Sequence, residues 1–175
     1  MLIIKFIRYI GLLGLLSLSF LQGGCERTGF SEGVSIGKPF PELRLVTYDN
    51  EPFELHQLRG KVVILRLWAT WCGVCREEAP KFLVFSKKLD DSVVVVSVSV
   101  DENLNAPKEY LLEYPDEFLH LFDQSMVQSK LVLKANVIPQ VYVIDQEGVL
   151  RYYSVGTNDW GEDMLKRVKG LSFGG

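Results

Sequence analysis

Leu43, Leu45 and Thr47 recur with the two-residue period of a half-buried strand. Asp49-Asn50 makes a turn, and Phe53 and Leu55 continue a short hairpin. Gly60-Lys61 then breaks the chain before Val62–Trp68. That near-continuous apolar run predicts a central strand covered on both faces. Phe82, Leu83, Phe85 and Leu89 follow at helical spacing, with Pro80 inside the helix and expected to kink it. Residues 93–100 predict a second buried strand, 107–114 a short helix and 118–122 a short strand. Residues 125–134 predict a helix with Met126, Leu131 and Leu133 as core positions. Residues 141–144 form a strand, Asp145-Gln146-Glu147-Gly148 turns it, and 149–154 return. A terminal helix covers 159–169, and no repeat interrupts the order. Strands alternating with helices, closed by a hairpin and a last helix, give an α/β sandwich: a central mixed sheet flanked by helices.

The first 24 residues have a different pattern. Lys5 and Arg8 precede the stretch 9–21, which is apolar apart from two serines and two glycines. This is the length of an export-signal core and short for a membrane span. Gly23-Gly24-Cys25 follows, and a small residue before a cysteine at this place resembles the bacterial lipoprotein signal. In that resemblance Cys25 is the lipid anchor, although the usual apolar residue three before the cysteine is replaced by Gln22. An uncleaved anchor and ordinary cleavage near the glycines are the alternatives. All three put the domain outside the cytoplasm, on the outer face of the cytoplasmic membrane if it stays anchored. Residues 25–37, rich in Gly and Ser, read as a tether, and the folded domain is expected over 38–172.

Composition narrows the class. The 175 residues are 47% apolar and 23% charged, enough core for one domain and unlike a disordered chain. The formal net charge is −3 and no basic cluster stands out, so nucleic acid is not an expected partner. Of three cysteines, Cys25 stands alone, while Cys72 and Cys75 are separated by two residues where the buried strand meets a helix. Such a pair can close into a disulfide and open again, and an exported compartment permits either a working couple or a structural bridge. Helix N-terminal N–H groups favour negative charge, so Cys72 would ionise and attack, and Cys75, one turn into the helix, would resolve. No cofactor and no metal ion is expected at the dithiol.

The segment Trp68-Ala69-Thr70-Trp71-Cys72-Gly73-Val74-Cys75-Arg76-Glu77-Glu78-Ala79-Pro80 resembles the active site of the thioredoxin superfamily. More narrowly it resembles the membrane-tethered TlpA/ResA-like thiol–disulfide oxidoreductases, over roughly residues 36–170. Val137-Ile138-Pro139 fits the superfamily's cis-proline loop, and Asp145–Gly148 fits the family's hairpin. The resemblance implies a thioredoxin-like fold with an N-terminal β-hairpin and a central helical insertion. It implies that Pro139 lies opposite the disulfide and that Glu78 moves protons near the dithiol. Trp71, Gly73, Val74 and Ile138 would meet substrate, with Trp68 and Trp71 packed beside the dithiol to limit solvent. The implied partners are protein thiols and disulfides, apocytochrome c among them, and a membrane dithiol electron donor.

Two departures stand out. Val74 replaces the family's common proline inside the dithiol motif, and Arg66 occupies a strand position where relatives place Asp or Asn. A buried arginine must find a carboxylate or reach solvent, so pairing with Glu78 is one expectation and proximity to Cys75 another. Competing functions are an oxidant or isomerase of secreted thiols, a peroxide reductase and a copper-handling protein. The peroxide motif is missing around Cys72, and His56 and His120, the two histidines, read as surface or strand residues.

Overall fold

The computed structural model describes residues 33–172. Seven strands form one sheet: β1 (Leu45–Thr47), β2 (Pro52–Phe53), β3 (Val62–Trp68), β4 (Val93–Ser99), β5 (Leu119–Phe122), β6 (Gln140–Ile144) and β7 (Leu150–Val155). Their spatial order is β2-β1-β5-β4-β3-β6-β7. β3, β4 and β5 run parallel, and the remaining neighbours pair antiparallel, so the sheet is mixed as expected. Four helices flank it among the described residues: α1 (Gly73–Ser86), α2 (Asn105–Glu113), α3 (Val127–Val132) and α4 (Glu162–Ser172). None of them is long and apolar enough to cross a membrane.

Every residue of β3 is buried. Side chains alternate along a strand, so Val63, Leu65 and Leu67 enter one core while Val62 and Ile64 enter the other. The first core also holds Cys72, Cys75 and Tyr142. The second takes Phe82 and Phe85 from α1 and Met164, Leu165 and Val168 from α4. Arg66 shares the face of Ile64, and its guanidinium lies over the Phe82 ring at 5.2 Å.

Local departures from the sequence reading have identifiable causes. Leu55 does not extend the hairpin; it opens a short 3-10 helix, Leu55–Leu58, and is buried there. Helix α1 ends at Ser86, so Leu89 packs on the second core from the following loop. Pro80 does lie inside α1. The expected helix over 125–134 shrinks to α3 because Ser125 and Met126 adopt positive φ angles of 55° and 59°. The buried Asp123 carboxylate captures the N–H groups of Gln128 (2.8 Å) and Ser129 (2.7 Å) and fixes the start of α3. Met126 and Leu133 are core residues, but Leu131 is 65% exposed, on the same outward face as Val127 one turn earlier. The last helix starts at Glu162, three residues after its expected start.

Ordered packing begins upstream of residue 38. Val34 is buried in the first core, and Gly37 N–H donates to the Leu150 carbonyl at 2.7 Å. The expected leader and Cys25 lie outside the described residues.

Candidate active site

Strand β3 delivers the chain into the turn 69–72, which α1 then picks up. Cys72 N–H donates to the Ala69 carbonyl at 3.1 Å, and Arg76 N–H to the Cys72 carbonyl at 3.1 Å. Cys72 is the cap of α1, its sulfur accepting the Cys75 N–H at 3.2 Å. Cys72 and Cys75 are joined as a disulfide with Cα atoms 5.2 Å apart. Cys75 is 1% exposed and Cys72 7%, so the pair meets solvent through Cys72.

The buried Asp101, just beyond β4, holds this turn. Its carboxylate accepts the Thr70 N–H at 3.2 Å and the hydroxyls of Thr70 and Ser99, both at 2.7 Å. The sequence reading passed over Asp101. The available signal was a carboxylate directly after the apolar run 93–100. Val100 N–H completes the junction by donating to the Trp68 carbonyl at 2.8 Å.

Beneath the dithiol lies a buried charge network. Glu78 is 3% exposed, so it is not a helix-surface glutamate. One of its oxygens lies 3.5 Å from Arg66 Nη2, and the other accepts the Asn158 backbone N–H at 2.6 Å. The same Arg66 Nη2 donates to the Cys75 carbonyl at 2.8 Å. Both arginine contacts anticipated from sequence are therefore present, made by one side chain. Burial pulls the Arg66 pKa down, and the Glu78 charge pushes it back up. Asn158 contributes through its backbone, which no residue pattern announces.

The Ile138–Pro139 bond is cis. Leu67 pairs with Gln140 between β3 and β6, so the residue before Gln140 falls at the end of β3 that leads into the dithiol turn. Ile138 packs against the core that contains both cysteines. Trp68 is buried, and its ring lies tilted against Tyr110 with centroids 5.2 Å apart. Trp71 departs from the expected packing: it is 63% exposed, and Val74 in the same motif is 46% exposed. The dithiol therefore carries an open apolar rim, with Gly73 also exposed between the cysteines. His56 is an exposed neighbour of Glu42 and Glu54, and His120 lies 2.8 Å from Asp116. Among the described residues no three His, Cys, Asp or Glu side chains are arranged to hold a metal.

A dithiol at a helix N-terminus beside a cis-proline on a mixed sheet defines a thiol–disulfide oxidoreductase of the thioredoxin superfamily. Residues 35–169 match the Redoxin family, and the chain belongs to it. The thioredoxin-like protein YneN of Bacillus subtilis is 30% identical over 128 residues, 71% of this chain and 74% of that protein. The thiol:disulfide interchange protein DsbE of Escherichia coli is 32% identical over 130 residues, 71% of this chain and 68% of that one. Among solved structures, a thiol:disulfide interchange protein from Chlorobium tepidum superposes with a TM-score of 0.64 at 26% identity. That alignment covers 77% of this chain and 96% of the other.

Proposed function

We propose that this protein reduces protein disulfides on the extracytoplasmic face of the cytoplasmic membrane, anchored through its N-terminal segment by a lipid on Cys25. Apocytochrome c is the substrate this reading favours, with a membrane dithiol protein as electron donor. The Cys72 thiolate attacks one sulfur of the substrate disulfide, forming a mixed disulfide and releasing the first substrate thiolate. Cys75 then loses its proton and attacks the Cys72 sulfur, releasing the second substrate thiolate and leaving Cys72–Cys75 oxidised. Glu78, one turn along α1, takes up the Cys75 proton. Pro139 presents a flat face, and Ile138 offers backbone groups to an extended substrate. Trp71, Gly73 and Val74 form the apolar surface the substrate meets.

The observation that carries the reducing direction is the Arg66–Glu78 pair. Arg66 brings a positive charge to within hydrogen-bond reach of Cys75, but Glu78 balances it. The pair carries no net charge and so does not supply the net positive surroundings that make a dithiol strongly oxidising. A second reading, an oxidant of secreted thiols, draws on the Cys75 N–H that donates to the Cys72 sulfur, because that contact stabilises the reduced form. The equilibrium reduction potential of the couple separates them. A value near or below about −270 mV supports the reductant, and one near about −120 mV overturns it in favour of the oxidant.

A further inference from the structure

Just past the end of β7, the backbone meets the buried acid of α1. Gly156 N–H donates to the Pro139 carbonyl at 2.8 Å, which extends the β6–β7 pairing by one step. Gly156 then takes a φ of 88°, a conformation open to glycine, and the chain turns out of the strand. Further on, Trp160 packs on Phe82 and Phe85 of α1, with ring centroids 4.5 and 5.1 Å apart. Between these two fixed points lies Asn158, whose backbone N–H donates to Glu78 Oε1 at 2.6 Å.

That bond is shorter than the 3.5 Å contact from Arg66 Nη2 to the other carboxylate oxygen, which lies at the limit of a hydrogen bond. The Asn158 side chain keeps the N–H in place. Its Oδ1 accepts the Ser154 hydroxyl at 2.6 Å and the Tyr152 hydroxyl at 3.1 Å, both from β7. The amide thus clips the turn back onto the strand, and the clipped turn presents its N–H to Glu78. Without the amide, two part-buried hydroxyls lose this acceptor and the N–H is free to swing away from the carboxylate.

We propose that Asn158 is a positioning residue for the resolving step: it holds Glu78 where the carboxylate takes the Cys75 proton. This rests on Glu78 as the acceptor of that proton. In the step, the proton of the Cys75 thiol goes to the Glu78 carboxylate. The Cys75 sulfur then bonds to the Cys72 sulfur, and the bond between Cys72 and the substrate breaks, its electron pair leaving on the substrate thiolate. A proton acceptor works only within reach and correctly oriented, and a misplacement of about 1 Å costs up to about 100-fold.

The test mixes the reduced full chain with a self-quenched disulfide dimer of an eosin-labelled tripeptide. Fluorescence rises in two phases: attack by Cys72 frees the first peptide, and resolution by Cys75 frees the second. Asn158→Ala is expected to slow the second phase about tenfold and leave the first in place. Glu78→Gln should slow the second phase at least as much, and adding Asn158→Ala to it should slow that phase no further. A general loosening of the fold would not produce this non-additivity. If Asn158→Ala does not fold, Ser154→Ala, which removes the 2.6 Å contact to the amide, must slow the second phase alone by severalfold. An unchanged second phase in Asn158→Ala beside a slowed one in Glu78→Gln would overturn the role of Asn158 and leave Glu78 the acceptor. An unchanged second phase in both would overturn the two together. Equal slowing of both phases, or additive slowing in the double variant, would reduce Asn158 to a stabilising contact and overturn the proposal.

Discussion

Arg66 Nη2 bridges the Cys75 carbonyl, at 2.8 Å, and the Glu78 carboxylate, at 3.5 Å, inside the protein. One side chain of the central strand thus ties the backbone of the resolving cysteine to the buried acid of the same helix. The guanidinium replaces, for the Cys75 carbonyl, part of the donor supply that water would offer at a surface. It also lies against Phe82, so the charge is enclosed by an aromatic face as well as by its carboxylate.

A buried pair of this kind should be strongly coupled. Arg66→Met leaves the Glu78 charge buried and unpaired and is expected to lower stability by about 3 kcal/mol. Adding Glu78→Gln should recover more than half of that loss, because no isolated charge then remains. Urea unfolding of the four proteins of the double-mutant cycle reads the coupling, and additive losses would show that the two side chains act independently.

The division of labour between the cysteines predicts opposite outcomes for two similar variants. Cys75→Ser should accumulate mixed disulfides with substrate protein, visible on a non-reducing gel, because Cys72 can attack but nothing resolves the adduct. Cys72→Ser should form no such adducts, since the remaining thiol is 1% exposed. Equal trapping by both variants would refute the assignment.

Asp101 is expected to matter for both stability and rate. Asp101→Ala strips the acceptor from the Thr70 N–H, the Thr70 hydroxyl and the Ser99 hydroxyl at once. Leaving these donors unmatched should cost about 2–3 kcal/mol. The turn that presents Cys72 should loosen with it, so dithiol-driven insulin reduction should slow even at temperatures where the variant is fully folded. An unchanged rate would confine Asp101 to a stabilising role.

Alkaline pH should destabilise the protein in a way that traces to two phenols. Burial raises the pKa of Tyr48 and of Tyr142 well above the ordinary value of about 10. Below pH 10 both states are protonated and neither tyrosine makes stability depend on pH. Above it the unfolded chain loses protons that the folded chain retains, so stability falls as pH rises. Each phenol adds a slope approaching about 1.4 kcal/mol per pH unit. Tyr48→Phe should remove one such contribution, measured as the difference in urea-unfolding stability between pH 9 and pH 11.5; identical slopes in the two proteins would exclude Tyr48 as a source.

Much of the architecture was legible because strand burial leaves a strong mark. Val62–Trp68 reads as a core strand from its apolar run alone, and Asp145-Gln146-Glu147-Gly148 reads as a turn, where Gly148 has a φ of 79°. Helix ends were less legible. Leu89 and Leu131 have core-type side chains, yet α1 stops at Ser86 and α3 turns Leu131 outward. The start of α3 depends on which N–H groups Asp123 captures and on two residues at positive φ, neither of which follows from hydrophobic spacing.

By itself, the sequence determined the dithiol, its place between an apolar strand and a helix, and the order of strands and helices around it. These are local properties: spacing in the chain fixes them, and water drives the apolar runs inward regardless of their partners. Only the tertiary structure decided what surrounds the sulfurs. Arg66, Glu78, Asn158 and Asp101 come from β3, α1, the segment after β7 and the end of β4, and they meet near the dithiol only because the sheet aligns those elements. The environment of a buried charge is set by atoms distant in sequence, and so a motif names the chemistry while the packing tunes it.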